Sequence, residues 1–388
     1  MRLAVYCPHY EDLGGVRLVA QRLTGEMLRR GHEITVIARW YAALAPGRTR
    51  DPATDAALVR LLLPRTPHRG AGLTAHRRFV RRFPRSVWRL VRELGAIRPD
   101  VVAAHCSKFH APYLAAIAAA RRVPIVLHLH NGARTADGPE SPALTRLLLR
   151  ASRRVIAVSP AVAEYARQAL PSAADRVVVV PNGVDPEEFL EVAPIARARP
   201  FVLGVGRLAE QKGFDLLIDA LPATDLDLVL AGDGPERERL ARRAAARGVG
   251  DRVEFLGAVP RATVAGLLRG AAVVAMPSRF EGHPLVCLEA MLAGAPLVTA
   301  AIPGLPPELV DGETGLIVPP EDPRALGAAL TALAASPARA RALGRAAAAA
   351  ARRFPTWDAV ATRVLAEYAA AWRPTAPPAA GLGDGSDA

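Results

Sequence analysis

The chain has 388 residues, of which 51% are hydrophobic and 22% charged, and it carries a net charge of +13. That length exceeds one ordinary core and suits two domains of ~100–200 residues, and the composition is globular rather than disordered. Three cysteines, Cys7, Cys106 and Cys287, are odd in number and far apart, which argues against a disulfide framework or a cysteine zinc site and for a reducing compartment.

The apolar run at 3–6 is shorter than the ~7–15 residues of a signal-peptide core, and no stretch approaches the ~20 uncharged apolar residues of a membrane span. The expectation is a cytoplasmic protein, at most peripheral to the inner face of the membrane. Charge is uneven along the chain. Residues 1–190 hold 29 basic and 15 acidic side chains, a net +14, whereas 191–388 hold 21 and 22, a net −1. Two halves with different partners is the simplest reading.

In chain order, short β-branched runs predict strands at 3–6, 33–38, 101–104, 125–130, 154–158 and 177–180. A second series follows at 201–205, 227–231, 253–256, 272–276, 296–300 and 315–318. Helical patterns lie between them, at 17–30, 160–170, 215–221, 235–247 and 285–293 among others, so both halves read as βαβ units with mainly parallel sheets. Pro186, Pro194 and Pro200 interrupt regular structure between the halves. Helices at 323–334, 338–354 and 357–372 close the pattern, and the Pro/Gly/Ala/Asp-rich end from 374 reads as disordered. The expected division is 1–190, 191–355, a C-terminal helix at 356–373 returning to the first domain, and a tail at 374–388. A ligand shared by two such domains sits at the carboxyl ends of both sheets.

Gly204-Val-Gly-Arg-Leu-Ala-Glu-Gln-Lys-Gly213 follows a strand and precedes a helix. Glycines admit a phosphate close to the backbone, and a helix N-terminus offers N–H groups and positive potential. Arg207 and Lys212 add two cations; Lys108 and Lys212 are the only lysines among 50 basic residues, so Lys212 reads as a site selected for a compact point charge. The same stretch spells GxGxxA, a permitted dinucleotide fingerprint, but four residues separate its end from the helix where a Rossmann helix opens within the glycines. A second constellation is Glu281-Gly-His-Pro-Leu-Val-Cys-Leu-Glu289. Pro284 suits a first helical turn, leaving Glu281 in the loop above it and Glu289 inside the helix. N–H groups of Gly282, His283 and Leu285 suit an anion, and the carboxylates suit sugar hydroxyls; equally, an N-terminal Glu favours a helix dipole by itself.

Glu-x7-Glu downstream of Val-Gly-Arg-Leu-x-x-Gln-Lys-Gly resembles the retaining family-four glycosyltransferases of the GT-B fold, over roughly residues 1–372. Gly14-Gly15-Val16, Arg98-Pro-Asp-Val-Val102, Pro181-Asn-Gly-Val-Asp185, Ala231-Gly-Asp-Gly-Pro235 and Gly312-Glu-Thr-Gly315 match in family order. The resemblance implies two Rossmann-like domains with parallel sheets facing a cleft, a nucleoside-diphosphate-sugar donor in the second and an acceptor in the first, with no metal and no further cofactor. It assigns Arg207 and Lys212 to the diphosphate, Glu289 to the ribose, Glu281 to a donor-sugar hydroxyl, Gly15 to the phosphates through its N–H, and Val259 to the base. Pro284 and Leu285 fall beside the donor. Pro124-Ile-Val-Leu-His-Leu-His130 resembles the strand ending in a functional histidine, assigned here to His130. His128 is expected to turn away across the cleft entrance or into a helix, although period two places both on one face, so spacing does not separate them.

His283-Pro284, Ala104-His105 and Pro303-Gly-Leu-Pro-Pro-Glu308 depart from the usual family forms. The implied reaction is front-face substitution with retained configuration onto a glycolipid, glycan precursor or secondary metabolite. A nucleotide-sugar epimerase or phosphorylase on the same fold is the alternative reading. A nucleic-acid binder fits the basic half electrostatically but lacks an aromatic platform. Eight arginines crowd residues 68–93 over an apolar stripe. That basic amphipathic segment suits contact with an anionic membrane, or a solvated arginine face over packed side chains. Pro84 is expected to begin or break its helix.

Overall fold

A computed structural model describes residues 1–12, 14–40, 47–67, 72–132 and 141–372. The expected tail, 374–388, lies outside them, as do residues 68–71 of the basic segment. The strands are β1 (Arg2–Tyr6), β2 (Glu33–Arg39), β3 (Gly47–Arg50), β4 (Ala57–Leu61), β5 (Val101–His105), β6 (Ile125–Leu129), β7 (Arg154–Ala157) and β8 (Val177–Val179), then β9 (Phe201–Val205), β10 (Asp227–Ala231), β11 (Val253–Gly257), β12 (Val273–Met276), β13 (Leu297–Ala300) and β14 (Leu316–Val318). They form two sheets, ordered β3-β4-β2-β1-β5-β6-β7-β8 and β11-β10-β9-β12-β13-β14. Pairing is parallel throughout except for the β3–β4 hairpin.

Helices cover both faces of each sheet, which is why the strands read as unbroken apolar runs. Within β1, Ala4 and Tyr6 enter a core shared with Leu90 and Leu94, whereas Leu3 and Val5 enter another with Val360, Val364 and Tyr368. That second core docks the C-terminal helix Trp357–Ala371 on the first lobe, beside the helix Gly15–Arg29. In the second lobe, Phe201 and Leu203 pack against Leu288 and Met291, and Val202 packs on the other face with Phe214 and Leu217.

The chain crosses between lobes twice, and the crossings touch. Val184 N–H donates to the Pro355 carbonyl (3.0 Å), and Trp357 N–H donates to Asp185 Oδ1 (3.0 Å). A Cβ on Gly183 would lie 2.9 Å from the Trp357 nitrogen, so the two segments meet backbone to backbone.

Strand order reverses once in each sheet, between β1 and β5 and between β9 and β12. Crevices at such points, outside the carboxyl ends of the strands, are where open α/β sheets bind ligands. Here the two crevices face one another.

Three local expectations are corrected. The helix Leu73–Ile97 runs through Pro84; the lost N–H would bond to Val80, which is 69% exposed, so water can satisfy the carbonyl. The proline-rich connection contains one helical turn, Glu187–Leu190, opened by Pro186. The β3–β4 hairpin was not anticipated, because β3 (Gly-Arg-Thr-Arg) is an exposed polar edge without an apolar pattern.

Candidate active site

Between the lobes lies a cavity of about 390 Å³. Gly15, His130, Arg207, Lys212, Val259, Glu281, Gly282, His283, Pro284, Leu285 and Glu289 all border it. His128 and Glu308 do not line it, and Asp225-Leu-Asp227, the acids a dinucleotide fingerprint at Gly204 would call on, stand at the amino end of β10, away from the carboxyl edge.

Two helix N-termini converge on this space. Gly14, with φ +145°, caps the helix Gly15–Arg29, and a Cβ on Gly15 would be 3.9 Å from Leu285 Cδ1 across the cleft. Leu285 opens the facing helix, Leu285–Leu292, with Pro284 as its N-cap, one place before the first-turn position read from sequence. Unsatisfied N–H groups and the positive ends of both macrodipoles therefore address the same volume. The loop after β9 adds charge. Gly206 takes φ +143°, and a Cβ on Gly232 would lie 1.9 Å from the Gly206 carbonyl oxygen, so Gly232 lets the loops after β9 and β10 meet at contact distance. Gly213, in the left-handed region at φ +65°, has no room for a Cβ beside the Pro277 carbonyl; it turns the chain sharply into the helix Phe214–Ala220.

The cations stand in different states. Lys212 Nζ donates to Glu281 Oε1 at 2.7 Å, and the side chain of Glu281 is 9% exposed. Gln211 Nε2 donates to the Phe280 carbonyl (2.9 Å), fixing the loop that carries Glu281. Among the described residues the Arg207 guanidinium has no hydrogen-bond or ion-pair partner, while its carbonyl accepts from Ala209 N–H at 2.8 Å. Glu289 is buried and accepts from Arg261 Nη1 at 2.6 Å; Arg261 Nη2 reaches Glu188 Oε2 at 3.2 Å, and Glu188 is bonded in turn to Arg22 of the first lobe. A buried carboxylate in a fixed guanidinium pair presents its remaining lone pairs in one direction.

Arg261 escaped sequence reading. Its partners lie 28 and 73 residues away, and the one local signal is its position two residues after Val259.

Across the cleft, His105, His128 and His130 stack side by side. His105 lies between the other two, 4.0 Å from the His128 ring and 5.2 Å from the His130 ring, and bonds to His130 Nε2 through Nδ1 at 3.1 Å. His128 faces the same side as His130, not the opposite one. Its Nε2 meets Tyr368 Oη at 2.7 Å on the C-terminal helix, so a helix occupies it while His130 reaches the cavity. Burial pushes His130 down to about 4 and holds His105 and His128 well below the ordinary histidine value; the cluster is neutral at neutral pH.

His283 borders the cavity, and its ring turns to the interlobe segment. Its Nδ1 accepts from Asn182 N–H (3.3 Å), and its carbonyl accepts from Asn182 Nδ2 (2.9 Å), tying the donor-side loop to the interlobe segment. A Cβ on Gly282 would sit 1.8 Å from the His130 carbonyl oxygen. The lobes touch there with no side chain between them.

Among the described residues no helix is long and apolar enough to cross a membrane. The arrangement suits charge stabilisation on a leaving diphosphate, through two cations and two helix ends, beside a neutral imidazole.

Comparison with known proteins agrees with that chemistry. Residues 13–188 match the family model "Glycosyltransferase Family 4", and residues 185–350 match "Glycosyl transferases group 1". A D-inositol 3-phosphate glycosyltransferase of Xylanimonas cellulosilytica is 31% identical, over 94% of this chain and 93% of its own. A glycogen synthase of Mycobacterium tuberculosis is 29% identical over 93% of this chain and 92% of its own. Among solved structures, sucrose-phosphate synthase from Thermosynechococcus elongatus superposes with a TM-score of 0.79 at 22% identity, covering 95% of this chain and 98% of that one. Anabaena Alr3699/HepE in complex with UDP and glucose does so with a TM-score of 0.76 at 21% identity, covering 95% and 100%. The chain belongs to the family-4 glycosyltransferases of the GT-B fold, with the Family 4 portion in its first lobe and the group 1 portion in its second.

Proposed function

We propose that this enzyme transfers a sugar from a nucleoside-diphosphate sugar to an acceptor hydroxyl with retention of configuration, and without a metal or further cofactor. The observation that carries the reading is the convergence of Arg207, Lys212 and the helix N-termini at Gly15 and Leu285 on one cavity. Arg207 and Lys212 hold the diphosphate, Glu289 takes the ribose hydroxyls in the orientation set by Arg261, Glu281 takes a donor-sugar hydroxyl, and the base lies by Val259. The solved relative containing UDP and glucose supports a nucleoside diphosphate as the common element.

In this reading the anomeric C–O bond to phosphate breaks and the acceptor oxygen bonds to the same face of the anomeric carbon. The acceptor proton passes to the departing phosphate oxygen. His130, neutral and fixed by His105, positions the sugar at the reacting centre. Thermal-shift measurements with UDP, GDP, ADP and dTDP, followed by NMR of the product anomer, test the proposal. Stabilisation by none of the four, or an inverted product, overturns it.

The helix Leu73–Ile97 supports a second contact, with an anionic bilayer. Leu73, Val80 and Trp88 are 77%, 69% and 60% exposed, and their spacing of seven and eight residues puts them on one line of the helix. Arg77, Arg81, Arg85 and Arg92 are exposed on or beside that line. Apolar and aromatic side chains along an arginine face suit insertion at a negatively charged interface. The relatives include a mannosyltransferase named for a phosphatidylinositol monomannoside. Cosedimentation with phosphatidylglycerol vesicles falls about tenfold in Trp88→Ala/Val80→Ser; equal binding to phosphatidylcholine vesicles would exclude the contact.

A further inference from the structure

The crevice between β1 and β5 carries polar groups that the donor reading does not use. Lys108, one of only two lysines in the chain, is 4% exposed and borders the cleft cavity. It opens a single turn, Lys108–His110, separated from the end of β5 by Cys106 and Ser107. The segment following β4 crosses the sheet edge to this turn: Thr66 N–H donates to the Phe109 carbonyl at 3.1 Å, and Tyr113 Oη donates to the Pro64 carbonyl at 3.0 Å. That crossing delivers Arg65. The guanidinium is aimed by a relay in which His9 Nδ1 donates to Asp12 Oδ2 (2.6 Å) and His9 Nε2 accepts from Arg65 Nη2 (3.2 Å).

His110 is fully buried; its Nδ1 meets Tyr6 Oη at 3.0 Å, while Nε2 has no partner. Burial first, then the electrostatic influence of the neighbouring His9, Arg65 and Arg39 side chains, hold this histidine well below its ordinary value, so it is neutral. Among the described residues the buried Tyr6 hydroxyl has no other partner, so satisfying its proton requires Nδ1 as acceptor and leaves the ring proton on Nε2, a donor. The hydroxyls of Ser107 and Thr66 are likewise buried without partners. Buried polar groups are ordinarily satisfied, and a cluster left open at a strand-order reversal marks a ligand crevice. Ser107 and Lys108 border the cavity, and Arg65, Thr66 and His110 lie behind them on the two segments joined at Thr66 and Phe109. Two cations and open donors on these segments specify an anionic ligand.

We propose that this crevice binds an anionic group of the acceptor, a phosphate mono- or diester, with Lys108 and Arg65 supplying charge and His110, Ser107 and Thr66 supplying donors. The proposal rests on the reading of the first lobe as the acceptor side and makes it specific: the sugar acceptor is phosphorylated, and neutral acceptors are selected against. The ester belongs either to a soluble phosphate or to a lipid headgroup, which the same measurement separates.

The enzyme is first saturated with its nucleoside diphosphate, which occupies Arg207 and Lys212, and then titrated calorimetrically with glycerol 3-phosphate, dihexanoylphosphatidylglycerol and glycerol. One of the two phosphate compounds binds at least tenfold more tightly than glycerol, and the tighter of them identifies the source. Lys108→Met, close in volume, lowers that affinity about tenfold, and Lys108→Arg less than threefold. Ser107→Ala, which leaves the cation in place, costs about threefold. Nucleoside-diphosphate affinity in all three variants stays within twofold of wild type. Failure of both phosphates to outbind glycerol overturns the proposal, as does a Lys108→Met enzyme with unchanged phosphate affinity. Loss of nucleoside-diphosphate binding in that variant also overturns it, by moving Lys108 to the donor. A wild-type enzyme that binds no nucleoside diphosphate sinks the donor reading instead, and is recognised at the first step.

Discussion

The two strand-order reversals that face each other across the cleft are furnished in opposite ways. At the reversal in the second sheet, charge meets charge: Lys212 with Glu281, Arg261 with Glu289, and nearby Arg279 in a two-bond fork with Asp215 at 2.8 and 2.9 Å. At the first, three stacked histidines are held neutral by burial, and Lys108 borders the cavity. Seven of the arginines of this net positive half stand on the outer helix Leu73–Ile97, away from the cleft cavity. The contrast teaches that net charge of a lobe does not locate its chemistry. A lobe of balanced charge can still present preorganised cations to a cavity, because paired charges are fixed in place and need only exchange partners.

The largest effect that tests this contrast is on turnover. Arg207→Ala and Lys212→Ala each lower kcat by more than ~100-fold, the scale of losing one charge-stabilising group. Steady-state kinetics near wild type in both would erase the distinction between the lobes. Next comes the Arg261–Glu289 pair. Glu289→Ala weakens calorimetric nucleoside-diphosphate affinity by about tenfold, consistent with a hydrogen bond to a charged group. Arg261→Met reproduces a large part of that loss, and Arg261→Lys recovers only some of it, because one ammonium cannot bridge Glu289 and Glu188 as a fork does. Full nucleotide affinity in Arg261→Met would show that Glu289 needs no orienting partner.

Acid sharpens the comparison from the other side. His105, His110, His128, His130 and His283 all have folded-state values below the ordinary 6.5, with burial as the leading cause. The unfolded chain therefore binds more protons, and stability falls as pH drops below about 6.5. Each histidine contributes up to ~1.4 kcal/mol per pH unit until its folded value is reached, near 4 for His130 and His283. Denaturant midpoints between pH 7.5 and 5 read the slope, and a flat profile would contradict neutral histidines. The smallest effect is that of Tyr368→Phe. It leaves His128 Nε2 without its partner and costs about 1–3 kcal/mol of stability, with kcat within twofold, since His128 does not reach the cavity. A kcat loss matching that of His130→Ala would make the three rings one functional unit.

Much of the fold was legible because each sheet is covered on both sides, so strands such as Phe201–Val205 announce themselves as apolar runs between turn residues. The Gly47–Arg50 edge was silent for the complementary reason: all four residues are exposed, and hydrogen bonding to β4 alone makes them a strand. In the site, Glu281 and Glu289 could be found because seven residues of one loop and helix separate them. Arg261, Glu188 and the relay from Asp12 through His9 to Arg65 were invisible, since each depends on partners brought together by the sheet order. His128 and His130 share a face, as period two requires; only the docking of Tyr368 from 240 residues away tells them apart.

The paired crossings between the lobes have a mechanical consequence. A single linker leaves two bodies free to twist, swing and slide, whereas two linkers bonded at Val184–Pro355 and Asp185–Trp357 leave one easy axis, running through that bond pair. Opening and shutting then resembles a door on a pin: displacement grows with distance from the pin, so the far rim of the mouth travels most while the contact of Gly282 with His130 acts as the stop.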